Sequence, residues 1–379
     1  MTVSLGSGTS GENERRILRR EPNPYLFRPL TIRSITSKNR IVLSPMCQYS
    51  AEDGLMNDWH FAHLAARAAG GTGIVFTEAV HTEPRGRITH YCLGLWNDQQ
   101  RDRMRRIVDF LLSQEAIPAI QIGHAGRKAS VSRPWEGSRP IPLSQGGWEV
   151  IGASNRPYSK GWPTPTPMTG SMIRQSLEQF AEAVARAREA GFQILEIHAG
   201  HGYLIHQFLS PLSNDRDDEY GGSLDGRIRL LLDTIDAARS VWPHRLPLFV
   251  RISATDWVEG GWTLGDSINL CRRLKARGDV DLVDCSSGGN DPRQNIPIHP
   301  GYQVPLAAAI KANTGLLTGA VGLIHSPDLA ESVVANGQAD LVVLGRALLA
   351  DPVWPLKAAK RLKATTVKWP VQYERADIY

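Results

Sequence analysis

Cysteine is scarce in this chain, and long apolar runs are missing. The four cysteines, Cys47, Cys92, Cys271 and Cys285, are scattered, with no Cys-x-x-Cys and no Cys/His cluster. A disulfide framework, a zinc site and an iron-sulfur site are therefore not expected, no metal is assigned, and the thiols should be reduced. No stretch approaches the roughly 18 apolar residues of a membrane span, and the opening MTVSLGSGTSGENERRILRR has no apolar segment of a secretion signal. No membrane partner is expected, cytoplasmic placement follows, and residues 1–24 read as a flexible polar leader. Runs of like charge are also missing: the net charge of +5 and pI near 9.1 come from Lys and Arg interleaved with acidic residues. That pattern argues against a nucleic-acid partner and fits mild attraction of a phosphorylated cofactor.

What is present is a repeated alternation. Eight short apolar, β-branched runs stand out: Ile41–Met46, Gly73–Ala79, Pro118–Gly123, Ile194–His198, Leu248–Ser253, Val280–Cys285, Leu316–Gly319 and Ala339–Gly345. Amphipathic helical stretches follow them: Trp59–Ala69, Gln99–Gln114, Ser171–Ala190, Leu224–Val241, Leu264–Ala276, Val304–Ala312, Pro327–Asn336 and Pro352–Leu362. In the third of these, Ile173, Leu177, Phe180, Val184 and Ala187 mark one buried stripe, and Gly191 is placed to stop it. Strict strand-helix alternation with apolar strands implies a parallel sheet covered by helices, and eight units suggest closure into an α/β (β/α)8 TIM barrel. An open doubly wound sheet would want Gly-x-Gly-x-x-Gly after the first strand, where Ser44-Pro45-Met46-Cys47 stands instead. The Pro-, Gly-, Ser- and Trp-rich segment from Ala125 to Gly170 is too long for a simple connection and is expected to form an excursion over one face after strand 3.

In such a barrel, functional groups sit at the C-terminal ends of the strands. There the chain places Pro45-Met46-Cys47-Gln48-Tyr49, Gln121 with His124 beyond, Glu196 and His198 through Tyr203, Arg251, Gly319 to Gly322, and Gly345-Arg346. Glycines and Arg346 after strands seven and eight suit a phosphate, or form a tight turn and a surface ion pair. His198 and His201 can be metal ligands, structural histidines, or neutral donors to one carbonyl or nitro oxygen that gains negative charge when hydride adds to a conjugated carbon. Tyr203, as a phenol protonated at neutral pH, can supply the completing proton or act as a packing lid. Arg251 needs an anionic partner, either a reduced flavin or a structural carboxylate such as Glu196 or Asp284.

These residues carry a resemblance. Leu43 to Tyr49, Gln121 to Lys128, His198 to Leu204, Phe208 to Asn214, and Arg216, Asp218, Tyr220-Gly221-Gly222-Ser223 and Arg227 resemble the Old Yellow Enzyme family, in one order from about Phe27 to Glu374. Cys47, the His-x-x-His spacing and Gln372-Tyr373-Glu374-Arg375 are similar to its bacterial, thermophilic-like subclass, which includes the xenobiotic reductases.

The resemblance implies one FMN-binding barrel over residues 25–365 and a tail, 366–379, that reaches a neighbouring subunit. It implies that Ser44, Pro45, Met46, Cys47, Ala79, Gln121 and Arg251 surround the flavin ring and ribityl chain, while Gly322, Gly345 and Arg346 hold the phosphate. Cys47 would tune the flavin without covalent attack. Tyr49 would close over the substrate, His198 and His201 would bind its activating oxygen, and Tyr203 or solvent would give the proton. Arg375 would enter the partner's active site, which implies a homodimer or a tetramer of dimers. The implied reaction is ping-pong reduction of an activated alkene, with NADPH, or NADH, as reductant. Rival readings are a relative of trimethylamine dehydrogenase, a tRNA dihydrouridine synthase, and a barrel that only stores flavin.

Overall fold

The computed structural model describes residues 23–377. Most of the leader, and the last two residues of the tail, lie outside them. Asn23, at the leader's end, is tied down: its amide donates to Phe27 O and Thr366 Oγ1 and accepts from Thr365 N–H, joining the two ends of the barrel domain.

Eight parallel strands close into a barrel in chain order: β1 Ile41–Leu43, β2 Ile74–His81, β3 Ile117–Gly123, β4 Ile194–Ala199, β5 Leu248–Ser253, β6 Leu282–Ser286, β7 Leu317–Ala320 and β8 Leu341–Leu344. All eight expected runs are strands. The covering helices are α1 Asp58–Ala69, α2 Asp98–Ser113, α3 Gly170–Ala190, α4 Leu204–Leu209, α5 Leu224–Arg239, α6 Leu264–Arg277, α7 Val304–Thr314, α8 Pro327–Ala335, α9 Arg346–Ala350 and α10 Trp354–Arg361. Helix α3 shows the local logic. Thr169 caps it by accepting from Met172 N–H, Ile173, Phe180, Val184 and Ala187 are buried, and Gly191 ends it at φ 97°.

Three elements escape the periodic reading because each is shorter than two helical turns or a normal strand. A hairpin, Leu30–Ile32 with Ile35–Ser37, plugs the N-terminal mouth, sending Ile32 into the barrel's interior core. Helix α4 follows the fourth strand directly, and α9 follows the eighth. The excursion after β3 folds as 3₁₀ turns and a two-residue strand pair, Ile151–Gly152 with Thr166–Pro167, lying over the strand ends. Val131 N–H and the Trp148 indole bond to carbonyls of the β2–α2 connection, Ile88 O and Arg85 O.

The core has two layers. A large shell packs the outward face of the strands against the helices. The smaller interior cluster comprises Val42, Ile74, Phe76, Ala119, Ile194, Phe249, Leu282, Leu341 and Val343, with the Phe76 and Phe249 rings 6.3 Å apart. Side chains alternate along a strand, so residues two steps beyond these also point inward, one level nearer the C-terminal face. Phe249→Ala should lower unfolding free energy by about 3–5 kcal/mol through the cavity it leaves; urea titration by circular dichroism, with an unchanged denaturant slope, checks this.

Candidate active site

Above the apolar interior layer the inward positions become polar at one level. Two steps beyond Ala119, Ile194, Phe249 and Leu282 stand Gln121, Glu196, Arg251 and Asp284, all buried. They are neighbours by register: Gln121 faces Glu196, and Arg251 faces Asp284 on one side and His198 on the other. Gln121 Nε2 donates to Glu196 Oε1 at 2.8 Å, and Arg251 donates to Asp284 Oδ2 at 2.8 Å and Ser44 Oγ at 3.0 Å. Of the two carboxylates considered for Arg251, Asp284 is the one bonded.

The level is not self-sufficient. Arg251 Nε, Glu196 Oε2 and Asp284 Oδ1 are buried with no hydrogen-bond partner. Buried orphans of this kind call for a ligand with both donors and acceptors, and the pyrimidine edge of a flavin offers that set. Beside them a cavity of about 130 Å³ is lined by Ser286, Gln303, Gly322, Gly345 and Arg346. Gly322, at φ 128°, adopts a conformation closed to side chains and keeps the cavity wall as bare backbone. Arg346 is exposed and, among the described residues, has no acidic partner. This donor set fits a phosphate, so the residues present fit FMN.

On the rim, His198 and His201 bring ring nitrogens together, with His201 Nδ1 3.3 Å from His198 Nε2. Gly200 N–H donates to His198 Nδ1, which fixes the ring proton on Nε2. His201 Nε2 lies 2.7 Å from Ser286 Oγ. A hydroxyl can donate or accept, so Ser286 allows His201 to carry its proton on Nδ1; both histidines then point N–H groups at one place, where only a bridging acceptor satisfies them together. Burial, then the charge of Arg251, holds both imidazoles well below their ordinary range, so both are neutral at neutral pH. The Tyr203 ring stands edge-on to His198 with centroids 5.0 Å apart, and burial raises its phenol well above the usual value, so its proton stays in place.

The opposite rim is the loop after β1. Cys47 and Tyr49 pack with Tyr203 against one apolar cluster, and Tyr49 meets Trp135 edge-on at 6.0 Å. Burial, then Cys92 and Glu78, push the Cys47 thiol well up, so it is no thiolate nucleophile at neutral pH. A register shift in β2 between Phe76 and Ala79 re-aims Glu78, whose carboxylate accepts from Gln48 N–H at 3.2 Å and lies 3.0 Å from His60 Nε2.

Thus Ser44, Pro45, Met46, Cys47, Tyr49, Ala79, Gln121, His198, His201, Tyr203, Arg251, Gly322, Gly345 and Arg346 all occupy one end of the barrel, on β2 to β5 and the connections after β1, β4, β7 and β8. Arg375 lies elsewhere, exposed on a 3₁₀ turn, Val371–Ala376. Sequence reasoning passed over Ser286, two steps above Asp284, though strand alternation could have found it. It also passed over Lys128, whose ammonium donates to His201 O and Gly289 O and lies over the rings of Tyr158 and Tyr203. Burial, then Arg127, lowers Lys128 to about 7. Nothing in a Gly-Arg-Lys tripeptide announces that position.

The chain is similar to known proteins over nearly its whole length. A family model described as the NADH:flavin oxidoreductase / NADH oxidase family matches residues 25–365. The NADPH dehydrogenase of Geobacillus thermodenitrificans (strain NG80-2) is 46% identical over 355 residues, covering 93% of this chain and 98% of the relative. Among solved structures, morphinone reductase superposes with a TM-score of 0.75 at 22% identity over 93% of both chains. A complex of 2-naphthoyl-CoA reductase with 2-naphthoyl-CoA gives 0.80 at 27% identity over 89% of this chain, which spans about half (52%) of that longer one.

The buried level makes a pH prediction. Burial, then the charge of Asp284, pushes the Glu196 carboxyl up to about 8 from 4.5, while Arg251 pulls the other way. The folded state therefore holds this proton more tightly than the unfolded chain; the stabilisation is complete below the ordinary carboxyl value and is lost as pH rises through about 8. Urea titrations of the ligand-free protein and of Glu196→Gln should show the parent losing stability relative to the variant between about pH 5 and about pH 9. A constant difference across that window would refute the assignment.

Proposed function

The chain belongs to the NADH:flavin oxidoreductase / NADH oxidase family, the Old Yellow Enzymes, and from that premise we propose that this FMN-dependent oxidoreductase is an ene-reductase acting on small α,β-unsaturated carbonyl or nitro compounds. The observation that carries this reading is the convergence of His198 and His201 beside the Tyr203 phenol, on the rim above Arg251.

When bound, FMN would supply the hydride chemistry that links a reduced nicotinamide to the β-carbon of the alkene. Ser44, Pro45, Met46, Cys47, Ala79, Gln121 and Arg251 would hold its ring and ribityl chain, and Gly322, Gly345 and Arg346 its phosphate. Arg251, whose Nε–H has no partner in the protein, would offer it to an acceptor on the ring edge, and its charge would stabilise negative charge there. His198 and His201 hold the substrate oxygen. As neutral donors they strengthen their bonds when that oxygen gains enolate character, so they lower the barrier more than they tighten ground-state binding. Tyr203 delivers a proton to the α-carbon. Tyr49 closes the pocket from the β1 side and excludes water. Nicotinamide and alkene use the same pocket in turn, which gives ping-pong kinetics.

In anaerobic stopped flow near 460 nm, NADPH should bleach the flavin and 2-cyclohexen-1-one should restore it; a flavin that NADPH cannot reduce sinks the reading. Tyr203→Phe should slow the enone step by about 10²–10⁴-fold and leave bleaching nearly unchanged. If the two steps slow alike, Tyr203 is not the donor.

Arg375 completes the proposal. Its turn displays Val371 and Tyr373 to solvent, 72% and 47% exposed, as a segment that docks on a second copy would. Arg375→Ala should raise KM for the enone about tenfold or more with kcat little changed, and equilibrium sedimentation should report a dimer or tetramer. A monomer with full activity would refute the shared site.

A further inference from the structure

We propose that His206, oriented by Asp256, is the positioning residue that sets His201 and Tyr203 in their working places. The inference rests on the roles given above to those two side chains. The fourth strand ends in a turn that the backbone does not adopt freely: His201 sits at φ 57° and Gly202 at φ 73°. A left-handed non-glycine residue is held only where its surroundings over-determine it.

The determinant lies behind the turn, away from the flavin face. Gly202 N–H donates to His206 Nδ1 at 2.8 Å, so the imidazole keeps its proton on Nε2, where Asp256 Oδ1 lies 3.0 Å away. Both side chains are fully shielded from solvent. Asp256 is fixed in turn by Ser210 Oγ–H and by Trp262 N–H at 2.9 Å, with Asn290 Nδ2 at 3.4 Å. Burial alone would raise this carboxyl, but His206 and these bonds hold it below the usual range. It is therefore an anion that pins the His206 tautomer.

The close fit leaves the turn no slack. A Cβ on Gly202 would stand 2.3 Å from Gly289 O, and one on Gly289 would stand 2.7 Å from His201 Cα. Gln207 Nε2 also donates to Gly202 O. With His206 Nδ1 removed, Gly202 N–H becomes a buried orphan whose relief is rotation of the peptide between His201 and Gly202. That rotation turns the His201 ring away from Ser286 and carries Tyr203 with it. The motif from Phe208 to Asn214 thereby acquires a function, since Ser210 is the residue that braces Asp256.

The test uses the FMN-loaded enzyme and the variants His206→Gln and Asp256→Asn, with rates counted per bound flavin so that loss of folded protein does not register. The probe for the oxygen site is 4-hydroxybenzaldehyde, whose phenolate bound over the flavin is followed by its long-wavelength charge-transfer absorbance. Each variant should bind this phenolate about tenfold or more weakly and reoxidise with 2-cyclohexen-1-one about tenfold or more slowly, with FMN affinity within about twofold of the parent. Parent-like phenolate affinity and reoxidation overturn the inference, and so does a change confined to thermal stability. Should His206→Gln fail to accumulate folded protein, Asp256→Asn decides by the same two constants. If the parent itself does not react with the enone, the ene-reductase reading fails separately, and the phenolate constant alone decides the role of His206.

Discussion

The bond between Arg251 and Asp284 is the interaction on which the site depends. A guanidinium inside a barrel is costly to desolvate, and one carboxylate at 2.8 Å offsets that cost on one edge only. The other edge, with Nε unpartnered, keeps its demand for an acceptor at the centre of the C-terminal face. Glu196, one strand further round, does not satisfy it, because it is bonded to Gln121 and retains its own proton. The charge of Arg251 also contributes, after burial, to keeping both rim histidines neutral. One buried pair thus leaves an unmet donor inside the barrel and contributes, after burial, to the electrostatic state of the groups above it.

Much of this was legible because strand geometry is periodic. An apolar run ending in small or polar residues, repeated eight times with helices between, yields the barrel; stepping by two along each run yields Gln121, Glu196, Arg251 and Asp284 as one inward level. What stayed hidden depends on contacts between segments far apart in sequence. Ser286 matters because β6 brings it beside His201, 85 positions earlier in the chain. Lys128 matters because two distant carbonyls converge on it, 73 and 161 residues away. The N-terminal hairpin was missed because three-residue strands carry too little periodicity to register.

The two rims of the pocket are built by the same physical device. Tyr49 and His201, the two non-glycine residues that face substrate in the proposed mechanism with positive φ, 50° and 57°, each stand beside a buried histidine-carboxylate pair. Behind Tyr49, His60 Nδ1 lies 3.2 Å from Asn57 N and 2.8 Å from Asn57 Oδ1, while Nε2 lies 3.0 Å from Glu78, which holds Gln48 N–H. Behind His201, the Nδ1 of His206 takes Gly202 N–H while Nε2 lies 3.0 Å from Asp256. In both, one ring nitrogen lies against a backbone N–H and the other faces the acid. An imidazole suits this task because its two nitrogens are held at a fixed separation in one plane, so it transmits position from a carboxylate to a backbone N–H without rotamer slack. Loops are ordinarily the mobile part of a barrel. Here Tyr49 and His201, both at positive φ, are each backed by a buried histidine-carboxylate pair, so both rims are held where a free loop would relax.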